Sequence, residues 1–149
     1  MKSIAIIIMV AAGLVGGCAG VVVDPKDVAE LKALPYPESA PLGDDLRVIV
    51  VQHNGLLGGG TVKLTNITPR SYHDIQLWLN QQYVAKIKDL PVAIGGKSED
   101  ISLDQFIDKH GRPYPTGKFL KPELAFPIVL AEVFDPVSGR RHRLLVQSD

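Results

Sequence analysis

Disulfides are excluded at the outset, because the 149-residue chain has a single cysteine, Cys18, which also leaves no cysteine-based zinc site within one chain. An excess of charge is equally missing. The 16 basic and 16 acidic residues cancel without a long block of either sign, which removes the electrostatic footprint of a nucleic-acid binder or a polybasic membrane patch. His53, His73, His110 and His142 never fall at the spacing that puts two ligands on one face of a helix or strand, so no metal site is expected. Asp100, Asp104 and Asp108 recur every four residues but lack the glycine and closing glutamate of a calcium loop. The glycine cluster from Gly55 to Gly60 is followed by no Lys-Ser or Lys-Thr, which leaves a hairpin loop rather than a phosphate cradle. No Gly-x-Ser-x-Gly elbow occurs. No catalytic residue or cofactor is therefore expected and the chain reads as a non-enzyme, a hydrolase whose polar residues follow no known pattern being the alternative.

What is present begins at the N-terminus. Met1-Lys2-Ser3 supplies a positive charge, Ile4 to Val15 an apolar run of secretory length, and Gly16-Gly17 the small residues that a signal peptidase needs in an extended strand before its cut. The stretch Leu14-Val15-Gly16-Gly17-Cys18 resembles the lipobox of bacterial prolipoproteins. That resemblance covers the first 18 residues and implies removal of residues 1–17, a diacylglyceryl group on the Cys18 thiol and acylation of the new amino terminus. Two or three chains together hold where one holds only marginally, each buried methylene contributing about 0.8 kcal/mol. Ala19 stands where an aspartate would imply inner-membrane retention, which favours the outer membrane in a cell that has one. The competing reading is an uncleaved anchor, since Ile4 to Val23 is apolar for about twenty residues. Glycines 13, 16, 17 and 20 weaken a helix there. Either reading puts the remainder outside the cytoplasm.

Residues 18–45 read as a lipidated start, a short helix and a tether. Asp24-Pro25 suits a helix start, Val28, Leu31 and Leu34 share a side, and Pro35, Pro37 and Pro41 enforce extended chain. Such a spacer would hold the domain up to about 50 Å from the lipid. From 46 to 149 the period is two. Strands are expected over Leu46–His53, Thr61–Ile67, Asp74–Asn80, Tyr83–Ile87, Glu99–Leu103, Phe126–Phe134 and Arg140–Gln147, the last two joined by Asp135-Pro136-Val137-Ser138-Gly139. This is a mainly β fold, expected as an antiparallel immunoglobulin-like or fibronectin-III-like β-sandwich, with a barrel as the alternative.

Alternation over Asp74–Asn80 puts Ile75, Leu77 and Leu79 on one face and the only tryptophan, Trp78, on the other. With Asn80 and Tyr83 close by, an aromatic and amide binding surface of Trp78, Asn80 and Tyr83 is the candidate site; a covered Trp78 is the alternative. The expected partners are the membrane, through lipid on Cys18, and an envelope protein or a glycan such as peptidoglycan; no nucleic acid is expected.

Overall fold

The computed structural model describes residues 20–43, 46–93 and 99–147; Cys18 and the lipobox lie outside the described residues. The strands β3 (Val48–Asn54) and β4 (Gly60–Asn66) form one hairpin, and β5 (Tyr72–Leu79) and β6 (Tyr83–Leu90) form another. Each follows from alternation. Val48 and Val50, Val62 and Leu64, and Ile75, Leu77 and Leu79 are the buried set, and the residues between them face outward. Later come β7 (Glu99–Ser102), β8 (Ala131–Asp135), β9 (Arg140–Arg143) and β10 (Leu145–Gln147). The first described segment adds β1 (Val22–Val23), the helix α1 (Val28–Ala33) and β2 (Leu42–Gly43).

These strands make a six-stranded sheet, in the order β1-β6-β5-β8-β9-β2, and a four-stranded sheet, in the order β10-β3-β4-β7. Their inner faces share one core, in which Val48, Val50 and Val62 meet Leu77, Leu79, Ile87 and Val133, with Leu103 and Phe106 fully buried among them. The fold is mainly β, as the alternation implies, but the sheets are mixed rather than antiparallel. Leu42 pairs with Arg141 in parallel, and Leu145 pairs with Ile49 in parallel. Alternation fixes which face a side chain takes and carries no information on strand direction.

Two expected elements change shape. Phe126–Leu130 lies outside the ladder, held where Gln52 donates from Nε2 to the Phe126 carbonyl (2.9 Å) and accepts from the Ile128 amide (2.8 Å). The last expected strand divides at Leu144, with β9 in the six-stranded sheet and β10 in the four-stranded one. His142 and Leu144 are both buried and Val146 packs on the core, so the period of two runs straight through the change of sheet and conceals it.

Residues 20–43 form no extended spacer. They cross the outer face of the six-stranded sheet as a strap whose two ends are its outermost strands, five inter-strand spacings or about 24 Å apart. Asp24 continues the β1 pairing through its amide to the Lys86 carbonyl (3.0 Å), and Asp27 is the residue that caps α1, accepting from the Glu30 amide (3.0 Å). A six-residue helix has no independent stability, so packing must hold it. Leu31 supplies that packing by burial, and the partly exposed Lys86–Glu30 pair (2.7 Å) adds little. The free edge of β6 is closed at one end by β1 and at the other by Ile107, which exchanges amide and carbonyl bonds with Val84 (3.0 and 3.1 Å).

Candidate functional site

Register sets the outer face of the six-stranded sheet. Trp78 stands opposite Val84 on one side and Glu132 on the other, with all three directed away from the main core. They are covered. Leu31 from α1 and Ile107 from the loop after β7 close over Trp78 and Val84 in a second cluster, flanked by Leu34, Tyr36 and Phe134. Tyr36 packs edge-on against Trp78, with ring centroids 5.4 Å apart at 80°. Its hydroxyl donates to Glu132 Oε2 and accepts from Arg141 Nη1 and from Gln81 Nε2, the last at 3.0 Å. Arg141 stacks over the same ring at 5.4 Å and lies 3.4 Å from Glu132 Oε1. Burial and the Glu132 carboxylate together push the Tyr36 hydroxyl pKa upward, so it stays a neutral donor. The strap is thereby tied to the sheet by one aromatic contact and one buried polar cluster.

Between the strap and the 107–112 loop lies a cleft of about 340 Å³. Leu31, Leu34, Tyr36, Trp78, Val84 and Ile107 make its apolar walls, while Gln81, Gln82, Lys109, His110 and Arg112 supply polar groups. That volume falls near the lower bound for pockets that take small molecules or short chain segments, and the mixture of apolar wall and a few polar groups is characteristic of them.

Asp108 shapes one wall. Its Oδ1 accepts from the His110 and Arg112 amides (2.9 and 2.8 Å), and its Oδ2 accepts from Arg112 Nε and Nη2 (2.8 and 2.7 Å). Burial alone would raise its pKa, but these donors and the guanidinium charge outweigh it and hold the carboxyl below its ordinary 3.8. Asp108 is thus an ionised strut of the loop rather than a proton donor. Because the folded-state pKa is depressed, its contribution is complete above pH 3.8 and is lost as the pH falls through the lower folded value. Asp108→Asn is expected to cost about 1–3 kcal/mol at neutral pH. Urea unfolding at pH 7 and at pH 3 should show the gap from wild type shrinking at the acid end; a constant gap would refute the ionised strut.

The surface expected from Trp78, Asn80 and Tyr83 does not form. Trp78 is 3% exposed and bonds Gln76 Oε1 through its indole N–H (3.1 Å), because the face opposite the core is buried too. Tyr83 points into the main core against Tyr114 (centroids 4.8 Å apart), and burial raises the hydroxyl pKa of both. Asn80 turns away from Trp78 and clamps the 127–130 segment, donating to the Pro127 carbonyl (2.9 Å) and accepting from the Val129 and Leu130 amides (2.9 and 3.1 Å). Of the three, only Trp78 lines the cleft.

Sequence reasoning missed Tyr36, Glu132 and Arg141. Tyr36 stands among prolines that read as spacer, and Arg141 in the run Arg140-Arg141-His142-Arg143, where one more charged side chain carries no sign of a buried partner. Glu132 did carry a signal, as the one charged residue in the apolar run from Phe126 to Phe134. The glycine cluster is a hairpin loop, as its composition implies, with Gly58 and Gly59 at φ 91° and 76°. Beside it Leu56, Leu57, Phe119 and Leu120 are exposed together, joined by the Leu120 amide to the Leu56 carbonyl (2.8 Å). Among the described residues no group of three or more His, Cys, Asp or Glu is placed to hold a metal ion, and no helix is long and apolar enough to cross a membrane. No protein-family model, no curated protein and no solved structure matches this chain.

Proposed function

We propose that the chain is a lipid-anchored, non-enzymatic binding or accessory domain of the bacterial cell envelope, which takes part of another envelope component into the cleft under its strap. The cleft is the observation that carries this reading: a pocket of about 340 Å³ with apolar walls and a rim of amide and charged groups, the Asp108 carboxylate among them. The sequence Leu14-Val15-Gly16-Gly17-Cys18 supports the anchor on Cys18, in the outer membrane where the cell has one. Strand order supports the immunoglobulin-like or fibronectin-III-like sandwich as its frame. The neighbours β3-β4-β7 and β6-β5-β8-β9 follow the order A-B-E and C′-C-F-G of that architecture, to which β1, β2 and β10 are additions.

The test separates anchor from cleft. A fatty-acid analogue fed to cells should label the wild type and not Cys18→Ala, and Gln82→Trp should fill the cleft from an exposed turn without entering the core. Crosslinking in intact cells should then recover a component with wild type that is lost with Gln82→Trp. Equal recovery by both, or by a lipid-anchor control, would sink the cleft reading.

A glycan or peptidoglycan occupant is the second reading, favoured by Lys109 and the amides of Gln81 and Gln82 standing beside Tyr36 and Trp78, where a carboxylate-bearing sugar peptide finds a cation, hydrogen-bonding groups and rings. A soluble disaccharide-peptide should shift the Trp78 emission in a saturable way, and Lys109→Ala should weaken it about tenfold, the loss of one charge-assisted contact. No saturable change would leave a protein segment as the occupant.

A further inference from the structure

The first described strand joins the fold at one end of its sheets, and the exposed apolar residues Leu56, Leu57, Phe119 and Leu120 lie at the other. Val22 stands opposite Asp89, at the open end of the β5–β6 hairpin. The open end of the β3–β4 hairpin lies there too, since Asn66 donates from Nδ2 to the Leu90 carbonyl (3.3 Å). So does the β8–β9 turn, because β8 runs antiparallel to β5 and its Asp135 terminus lies beyond the Gln76–Phe134 pair. Asn80, Pro127 and the glycine loop with Leu56, Leu57, Phe119 and Leu120 belong to the opposite end. About 20 Å of β6 separates Asp89 from Tyr83.

Only residues 19–21 intervene between Cys18 and β1, a leash of about 14 Å at full extension. We infer that the lipidated protein is held flush on the bilayer, with the end formed by Val22, Ile67 and Val137 against the lipid headgroups and the Leu56–Phe119 end facing away. This rests on the reading of Cys18 as the lipid attachment. The surface itself suits a headgroup region. Ile67 and Val137 are 50% and 90% exposed at loop tips, and each has an exposed arginine beside it: Arg47, whose carbonyl accepts from the Ile67 amide (3.0 Å), and Arg140, which faces Asp135 across the hairpin. An apolar tip with an adjacent long cationic side chain is the arrangement that settles at a membrane interface. The same leash keeps the opposite apolar end in water, open to a protein rather than to the anchoring membrane.

The lipidated full chain provides the test, because acylation of Cys18 leaves an introduced cysteine as the only free thiol. Val137→Cys and Leu57→Cys, each carrying an environment-sensitive fluorophore, are reconstituted into phosphatidylethanolamine and phosphatidylglycerol vesicles containing headgroup-nitroxide lipid. Both sites are exposed, so unchanged Trp78 emission certifies the fold. The label at 137 should lose most of its emission and the label at 57 should keep most of it. Equal loss at the two sites, or greater loss at 57 because the apolar tip enters lipid, overturns the orientation. A second label per chain and a mass without diacylglyceryl would instead overturn the anchor, so the two failures are told apart.

Discussion

Arg141→Ala is expected to lower folding stability by about 3 kcal/mol, the low end of the penalty when a buried carboxylate loses its charged partner. Glu132 is 1% exposed on the outer face of β8, and the guanidinium of Arg141 is the cation beside it. Removing Arg141 leaves Glu132 with the Tyr36 hydroxyl, which keeps the cost from the top of the range. It also removes the cation stacked on Tyr36 and the bond from Arg141 Nη2 to the Glu38 carbonyl (3.3 Å), so the strap loses its hold near β9. Water should then reach Trp78 and move its emission to the red. Replacing both members, Glu132→Met with Arg141→Met, should recover most of the loss, because two apolar groups of similar volume abolish the unpaired charge. Urea unfolding of the two single variants and the double variant measures this. A change under about 1 kcal/mol with Trp78 emission unmoved would mean that the buried pair does not hold the strap.

Asn80→Ala is expected to cost about 3 kcal/mol, from four lost hydrogen bonds worth about 0.5 kcal/mol each at this partly exposed site and about 1 kcal/mol for a backbone that alanine adopts poorly. Asn80 and Gln81 carry φ of 50° and 59° at the β5–β6 turn, the left-handed geometry that suits the twist of a tight hairpin. The Asn80 amide also bonds the Tyr114 hydroxyl (3.1 Å), joining the turn to the 127–130 segment and the core. Asn80→Gly separates the two contributions: glycine accepts the positive φ and still loses the bonds, so it should recover about 1 kcal/mol of the alanine deficit. Were Asn80 a ligand-binding residue instead, both variants would unfold like wild type and lose only affinity.

The β class and the positions of five strands, β3 to β7, were legible because each depends on a local pattern. Alternation in Leu46–His53 or Thr61–Ile67 needs no knowledge of what lies across the molecule. Even the outward direction of Trp78 follows from the period of two. Whether an outward residue is exposed does not, since that depends on a segment more than forty residues earlier lying over it.

Residues 24–43 show where the boundary falls. Prolines 35, 37 and 41 forbid a helix, and the chain there is indeed non-helical, turning where the Glu38 amide bonds the Tyr36 carbonyl and the Ala40 amide the Pro37 carbonyl, yet a proline-rich, helix-free segment serves equally as a free spacer or as a strap pressed on a sheet. The choice was made by Leu31, Tyr36 and the Glu132–Arg141 pair, whose contacts bridge up to 105 positions of sequence. The parallel pairings of β2 and β10, the cleft and the burial of Tyr83 are of the same kind. Backbone preference and hydrophobic period are properties of neighbours along the chain, so sequence alone determined them; enclosure and partnership are properties of neighbours in space, and only the folded molecule decides those.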